Sequence, residues 1–392
     1  MKILITSDWY TPAVNGVVTS VKNLRQELEC RGHEVRILTL SQSRRSWEED
    51  GVTYLGSVAA GRIYPGARLR TALAGKYVRD LMKWRPDVVH SQCEFSTFFL
   101  ARKISEELEI PLVHTYHTVY EDYTHYFSPS VRLGKKAVAT LSRWIMGRTD
   151  CVIVPTEKVR RLLRGYGVRQ PVRVIPSGID LRRFSEVTKG VRLRELKERV
   201  GIPSGRFVMV SVGRLAEEKN VEELLRYRAA METEDVTLLL VGDGPDRGRL
   251  EQKSIELGLK FPDVVFAGMV PSEEIADWYR LGDVFVSAST SETQGLTYVE
   301  SLAAGVPVLC RKDPCLDEVI REGENGWQYL DEEDFKKKLS AVLEHRERLE
   351  QLSSNARQSA ENFSAALFAQ RVEKVYQEQI WKYRRNRRKE SA

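Results

Sequence analysis

Nowhere does the chain reach the ~18 consecutive apolar residues that a membrane-crossing helix needs, so a spanning segment is not expected. The opening stretch, MKILITSDWY, has an apolar run of only about four residues before polar ones, which reads as a first strand and not as a secretion signal. Cysteine is scarce: Cys30, Cys93, Cys151, Cys310 and Cys315 are odd in number and form no CxxC pair. That argues against a disulfide framework or zinc cage and fits a reducing cytoplasm. GxxxxGK[ST], HExxH and GxSxG are all missing, which weakens kinase, metalloprotease and α/β-hydrolase readings. Low-complexity tracts and short-period repeats are missing too.

What is present is the composition of a globular protein, 42% hydrophobic and 30% charged over 392 residues. That length exceeds one typical core and favours two domains. The net charge of +6 hides an asymmetry. Residues 1 to 175 carry 27 basic and 17 acidic side chains, residues 176 to 381 carry 28 and 37, and residues 382 to 392 carry 6 and 1. A positive first half and tail suit an anionic surface, either nucleic acid or lipid headgroups.

Apolar runs KILIT, EVRILTL, PDVVH, PLVHTY, CVIVP and VRVIP alternate with helical patterns, the first near TSVKNLRQELECRG. After VIPSGID the series restarts with FVMVSVG, VTLLLVG, DVVFAG, DVFVSA and VPVLC. Two doubly wound α/β domains with parallel sheets are expected, over residues 1–175 and 176–370, followed by a helix and basic tail over 371–392 that returns to the first domain. In such sheets ligands sit beyond the carboxyl ends of the strands, so the cleft between the domains is the expected site.

The loops after the strands carry the candidate chemistry. In VSVGRLAEEKN, Gly213 ends a strand, and Arg214 and Lys219 follow as two cations that suit a diphosphate, or else pair with Glu217, Glu218 or Glu222 nearby. In SETQGLTYVESLAAG, Glu292 lies in a loop and Glu300 inside a helix beginning around Leu296. The N–H groups of Gly295, Leu296 and Thr297 are ones that could face an anion; the bland reading of the two glutamates is surface solvation. Asn15-Gly16, between the first strand and first helix, allows either close backbone approach to a ligand or a tight turn. VGDGPDRGRLE resembles a dinucleotide fingerprint, but Gly242, Gly244 and Gly248 are spaced G-x-G-x-x-x-G with Asp243 where an anion would sit, so NAD is not expected.

The NG loop, the histidine after PLVHTY, VPTEKV with VIPSGIDLRRF, GRLAEEK and the Glu292-x7-Glu300 pair occur in one order over nearly the whole chain. Together they resemble the retaining glycosyltransferases of family 4, with the GT-B fold. The segment HTYHTVYEDYTHYF looks like that of bacterial diacylglycerol glucosyltransferases.

The resemblance implies that Gly16 and its loop lie beside the donor diphosphate, with Arg214 and Lys219 on its oxygens. It places Glu292 on the hydroxyls of the transferred sugar, Glu300 on the ribose, the backbone near Met269 and Val270 at the base, and His117 beside the sugar. Tyr120, Glu121, Asp122, Tyr123 and Tyr126 would line the acceptor side, with Glu121 or Asp122 orienting or deprotonating a glycerol hydroxyl or only forming a solvated turn. His114 and His125 are assigned to structure. No Asp-x-Asp motif is present, so no metal is expected. The implied activity is transfer of an α-glucosyl residue from UDP-glucose to diacylglycerol at the cytoplasmic face of the membrane. The alternatives are a GDP-mannose-dependent transferase acting on a phosphatidylinositol-type lipid and one that extends a glycolipid or polysaccharide.

Two stretches read as membrane-surface helices or as ordinary amphipathic helices packed on a sheet. Residues 62 to 85 hold seven basic side chains against one acidic, with Leu69, Leu73, Tyr77, Leu81 and Trp84 at helical spacing. Residues 131 to 148 hold five basic and no acidic side chains. No RNA-binding aromatic signature accompanies them, so an anionic membrane is the expected partner and nucleic acid is not.

Overall fold

The computed structural model describes residues 1–13, 15–60, 68–71, 75–121, 130–185, 190–231 and 233–390. The chain divides into two compact units, one of Met1–Gly178 with Ala365–Ala392, the other of Ile179–Ser364.

The first unit begins with β1 (Lys2–Thr6), α1 (Gly16–Cys30) and β2 (Glu34–Leu40), followed by the short strands β3 (Trp47–Glu49), β4 (Val52–Leu55), β5 (Ser57–Ala59) and β6 (Arg68–Arg70). It continues through α2 (Gly75–Trp84), β7 (Val88–Ser91), α3 (Ser96–Leu108), β8 (Leu112–Thr115), α4 (Val131–Met146), β9 (Cys151–Val154), α5 (Glu157–Gly165) and β10 (Val172–Val174). Its main sheet runs β10-β9-β8-β7-β1-β2-β4-β3, parallel except at the β3–β4 edge. The central strands read as continuous apolar runs because helices cover both faces: β7, β8 and β9 are buried at every residue.

The second unit contains α6 (Arg182–Ser185), α7 (Gly190–Arg199), β11 (Phe207–Val212), α8 (Val221–Ala229), β12 (Val236–Val241), α9 (Arg247–Glu256), β13 (Val264–Gly268) and α10 (Ile275–Arg280). It closes with β14 (Val284–Ser287), α11 (Leu296–Ala304), β15 (Val308–Arg311), β16 (Gly326–Tyr329), α12 (Glu332–Glu344) and α13 (Leu349–Ala360). Its six strands are all parallel in the order β13-β12-β11-β14-β15-β16. Both sheets are therefore doubly wound. The order reverses between β1 and β7 in the first and between β11 and β14 in the second, and such reversals open a crevice at the strands' carboxyl ends.

The last helix, α14 (Ala365–Glu390), packs in the first unit, where Phe368, Ala369, Val372, Val375, Tyr376 and Ile380 join the core around β1 and α1. Full burial of each large apolar side chain contributes ~1.5–3 kcal/mol, so this docking is a substantial part of that unit's stability. The passages between units fall at 178/179 and 364/365, a few residues from 175/176 and 370/371. Asn23 Nδ2 donates to Gly178 O at 3.0 Å and holds the outgoing chain, and the first turns of α14 already carry core residues.

The stretch 62–85 is not one amphipathic helix. Leu69 lies in strand β6, residues 61–67 and 72–74 fall outside the described segments, and α2 starts only at Gly75. Leu81 and Trp84 are buried and Tyr77 packs on the same core, because this helix uses its apolar stripe to cover the sheet. Among the described residues no helix is long and apolar enough to cross a membrane. All five cysteines are free and four are buried.

Candidate functional site

In the second unit the strand ends at the order reversal bring charge together. Lys219 sits on a single 3₁₀ turn after β11, and Glu292 lies in the loop after β14. Lys219 Nζ donates to Glu292 Oε1 at 2.6 Å across 73 residues of sequence, and the lysine stays about one-third exposed. Of its acidic neighbours in the chain, Glu222 pairs instead with Arg249 at 2.5 Å. Arg214 is exposed beside Gly213 at the end of β11. A cation pair of this kind, with one member tied to a carboxylate and one projecting into solvent, can hold a diphosphate while the carboxylate meets hydroxyls.

The close approach of two strand-end loops explains Gly242 and Gly244 of VGDGPDRGRLE. A Cβ on Gly242 would lie 2.0 Å from Gly213 O, and one on Gly244 would lie 2.1 Å from Leu215 O. Gly213 N donates to Val241 O at 2.9 Å and Leu215 N to Asp243 O at 3.0 Å. These glycines let the Arg214 loop lie flat on its neighbour.

Gly295 caps α11 in the left-handed region, φ 76°, and a Cβ there would lie 2.6 Å from the ring of buried Tyr298. The N–H groups at the helix start, at Leu296 and Thr297, are left without intrahelical acceptors by helix geometry. In the preceding loop the Ser289 and Ser291 hydroxyls are buried without a partner among the described residues. Glu300 lies one turn into the helix, where Tyr279 OH donates to its Oε2 at 2.8 Å and burial raises its pKa. Met269 is exposed just past β13, and Val270 packs against the core.

In the first unit the strand ends assemble differently. Asn15 caps α1: its Oδ1 accepts from Val18 N at 2.9 Å, and Gly16 is the exposed first residue of that helix. His117, just past β8, donates from Nε2 to Gln92 Oε1 at 2.7 Å. Burial, with a smaller contribution from His114, pushes its pKa down to about 3, so the imidazole is neutral near pH 7. His114 is fully buried and its Nε2 meets Glu94 Oε1 at 3.2 Å; Tyr120 OH donates to the other oxygen of Glu94 at 2.5 Å. Glu121 is paired with Lys135 at 3.5 Å. Asp122, Tyr123, His125 and Tyr126 lie outside the described residues.

Gln92, Glu94 and His90 went unmarked in the sequence, since each stands alone beside an apolar strand. The signal was positional: SQCE follows PDVVH at a strand's carboxyl end, next to the order reversal. Asp8 occupies the equivalent place after β1. Its Oδ1 accepts from Thr97 N at 2.7 Å, capping α3, while burial, resisted by that hydrogen bond, raises its pKa to about 6.

One face of the first unit joins apolar and cationic side chains. On α4, Val131, Leu133, Leu141 and Trp144 are exposed among Arg132, Lys135, Lys136 and Arg143, while Val138, Ser142 and Ile145 face inward. Phe99 of α3 is 52% exposed and lies 6.0 Å from the Trp144 ring, and the Arg148 guanidinium stacks on that ring at 3.8 Å.

With this geometry in view, the comparisons bear on identity. Residues 14–183 match the model of Glycosyltransferase Family 4, and residues 194–359 match Glycosyl transferases group 1. The chain is 37% identical over 347 residues to the alpha-monoglucosyldiacylglycerol synthase of Streptococcus pneumoniae, covering 88% of this chain and 78% of that protein. It is 34% identical over 391 residues to the alpha-monoglucosyldiacylglycerol synthase of Acholeplasma laidlawii, covering 96% of both. The crystal structure of HepE from Anabaena in complex with UDP and glucose superimposes with a TM-score of 0.76 at 19% identity, covering 96% of this chain and 100% of that one.

Proposed function

Because the chain belongs to glycosyltransferase family 4, has the two-Rossmann GT-B fold and is a nucleotide-sugar-dependent hexosyltransferase, we propose that it moves glucose from UDP-glucose to diacylglycerol, with retention of configuration, at the cytoplasmic face of a membrane. The observation that carries this reading is the 34% identity running through 96% of both chains to a synthase named for that product.

The chemistry asked of the residues is as follows. Breaking the glycosyl–phosphate bond builds positive charge on the sugar ring and negative charge on the departing diphosphate. Arg214, Lys219 and the amides of Gly295, Leu296 and Thr297 stabilise the diphosphate, which lowers the barrier because they are in place before the charge develops. Glu292, its position fixed by Lys219, accepts from hydroxyls of the glucose, and Glu300 from those of the ribose. Gly213 and Gly16 give the backbone room beside the phosphates, and the chain at Met269 and Val270 meets the base. On the acceptor side His117, neutral, offers hydrogen bonds without repelling the developing oxocarbenium ion, while Tyr120 and Glu94 flank the incoming glycerol. The leaving phosphate takes the acceptor hydroxyl's proton on the face from which it departs, which gives retention without a second carboxylate nucleophile. The cationic and apolar face of α4, with Phe99, brings the enzyme to an anionic bilayer: the apolar side chains insert between lipids and the arginines and lysines meet headgroups.

The test offers purified protein a panel of UDP- and GDP-sugars with diacylglycerol or monoglucosyl lipid in anionic vesicles, with and without EDTA. Monoglucosyl lipid formed from UDP-glucose, undiminished by EDTA, is expected. Product from GDP-mannose alone, or none from diacylglycerol, would overturn the assignment of donor or acceptor.

A further inference from the structure

His117 is the visible end of a buried chain of polar groups that reaches the C-terminal helix. His117 Nε2 meets Gln92 Oε1 at 2.7 Å; Gln92 Nε2 meets His90 Nδ1 at 3.1 Å; the Tyr376 hydroxyl meets the same Nδ1 at 2.6 Å; and His90 Nε2 meets Thr115 Oγ1 at 2.7 Å. His90 and Tyr376 are fully buried, Gln92 and Thr115 are 2% exposed, and Tyr376 lies 286 residues from His90 in sequence.

The proton positions follow from what each group can do. Burial, with smaller contributions from His114 and His117, holds His90 far below its ordinary pKa, so it carries one proton. Suppose that proton were on Nδ1. It would point at the Tyr376 oxygen, and the tyrosine's own hydrogen would be left without an acceptor among the described residues, at a cost of ~1–3 kcal/mol. Placing it on Nε2 instead lets His90 donate to Thr115 and lets Tyr376 donate to Nδ1, with the amine end of Gln92 turned towards His90 as a longer second donor that shares the one lone pair of Nδ1. The carbonyl end of Gln92 then faces His117 and can only accept, so His117 carries its proton on Nε2.

We infer that Tyr376, His90 and Gln92 are positioning residues that fix the tautomer and orientation of His117, holding Nε2–H inward and leaving Nδ1 as the ring's sole acceptor for a substrate hydroxyl. This rests on the reading of His117 as a residue of the transfer site, and it gives the terminal helix a part in the chemistry: α14 supplies the group that decides which way the amide of Gln92 points. Nothing in the network touches substrate except through His117. The titratable group that acts on both imidazoles from outside the network is His114, which meets Glu94.

The test uses the full chain with ¹⁵N-labelled histidine, the His117 signals being assigned by their loss in His117→Asn. Long-range proton–nitrogen spectra of the wild type are expected to show His117 with protonated Nε2 and bare Nδ1 across pH 5 to 8. In Tyr376→Phe the same signals should move towards a mixture of tautomers. Its kcat for transfer from UDP-glucose should fall about tenfold while the donor KM changes less than about twofold, as when an orienting partner of a catalytic imidazole is lost. Gln92→Glu places a carboxylate against the ring nitrogen and should raise the pH at which His117 protonates by at least about one unit, shifting the acid limb of the rate profile with it. A purely structural role would not move that limb. Protonated Nδ1 on wild-type His117, or a Tyr376→Phe protein with unaltered His117 signals and kcat, would overturn the inference. A wild type that transfers no sugar to any acceptor would defeat the functional reading, while the imidazole spectra would still decide the relay.

Discussion

The two units use the same architecture, a parallel sheet whose strand order reverses once, yet they equip the reversal in opposite ways. In the second unit the groups beyond β11 and β14 are ionic and partly solvated: Lys219 bonded to Glu292, Arg214 projecting into solvent, and glycine-lined loops that bring backbone amides forward. In the first, the groups beyond β1, β7 and β8 are desolvated and hydrogen-bonded to one another, with neutral imidazoles at His90 and His117 and an Asp8 whose pKa is raised to about 6. The contrast teaches that a fold supplies a location and the strand-end residues supply its electrostatics. A diphosphate needs strong cations that it can reach through water. A neutral hydroxyl acceptor is better served by groups stripped of water and fixed in direction.

The sharpest way to break this comparison is at Glu292. Glu292→Ala should lower kcat/KM by about 10³-fold and leave vesicle binding intact, with Lys219→Ala costing about 10²-fold. Because the two side chains touch, the double variant should cost less than the product of the singles. Full additivity in a transfer assay would mean that the ion pair is not a unit.

Acid should separate the units next. His90 and His117 have folded pKa values below the unfolded 6.5, so the stability they contribute is complete above pH 6.5 and is lost as pH falls, for His117 down to about 3. Between pH 6.5 and 4 His117 alone costs about 3 kcal/mol, of which the protonation of Asp8 in the same unit returns about 2 kcal/mol, so the net loss rests on His90 and His117 together. The second unit holds Glu300 and Asp283 with raised pKa values, which act in the opposite sense, and its single histidine, His345, is exposed. Hydrogen exchange between pH 7 and 4 should therefore lose protection in the first unit first; simultaneous loss would erase the distinction.

Asp8 sharpens the same contrast. Its folded pKa is raised, so it destabilises the fold as pH rises from 3.8 through about 6. Asp8→Asn keeps the oxygen that accepts from Thr97 N and should stabilise the protein by about 2 kcal/mol at pH 8 and hardly at all at pH 4, as measured by denaturant unfolding. An equal effect at both values would locate the strain elsewhere. The smallest effect is expected at the surface: replacing Leu133 and Leu141 together by Ser should weaken partition onto anionic vesicles about tenfold without changing transfer to a soluble acceptor analogue. Unchanged partition would move the membrane face away from α4.

Much of this molecule was legible before its tertiary structure. Alternating apolar runs and helical patterns gave both sheets, since a strand buried on two faces must be apolar throughout. Arg214, Lys219 and Glu292 stood out because they follow such runs, where parallel sheets present their ligands. The helix start near Leu296 was legible too, from Gly295 ahead of an apolar stretch. The 62–85 stretch misled because helical spacing cannot distinguish a stripe facing lipid from one facing a sheet, and α2 turns Leu81 and Trp84 inward. The Lys135 partner of Glu121 was not legible, because it comes from the next helix.

The sequence by itself determined the local quantities: which segments are strands, which loops carry charge, and which residues can accept or donate a proton. Whether those groups act together was decided only by the tertiary structure. Lys219 meets Glu292 across 73 residues because β11 and β14 are neighbours in the sheet, and His90 meets Tyr376 across 286 because α14 returns to pack beside β1. The physical reason is that hydrogen bonding and desolvation act over a few ångströms of space and are indifferent to distance along the chain. The order of the strands, and not the order of the residues, therefore sets which side chains share a proton.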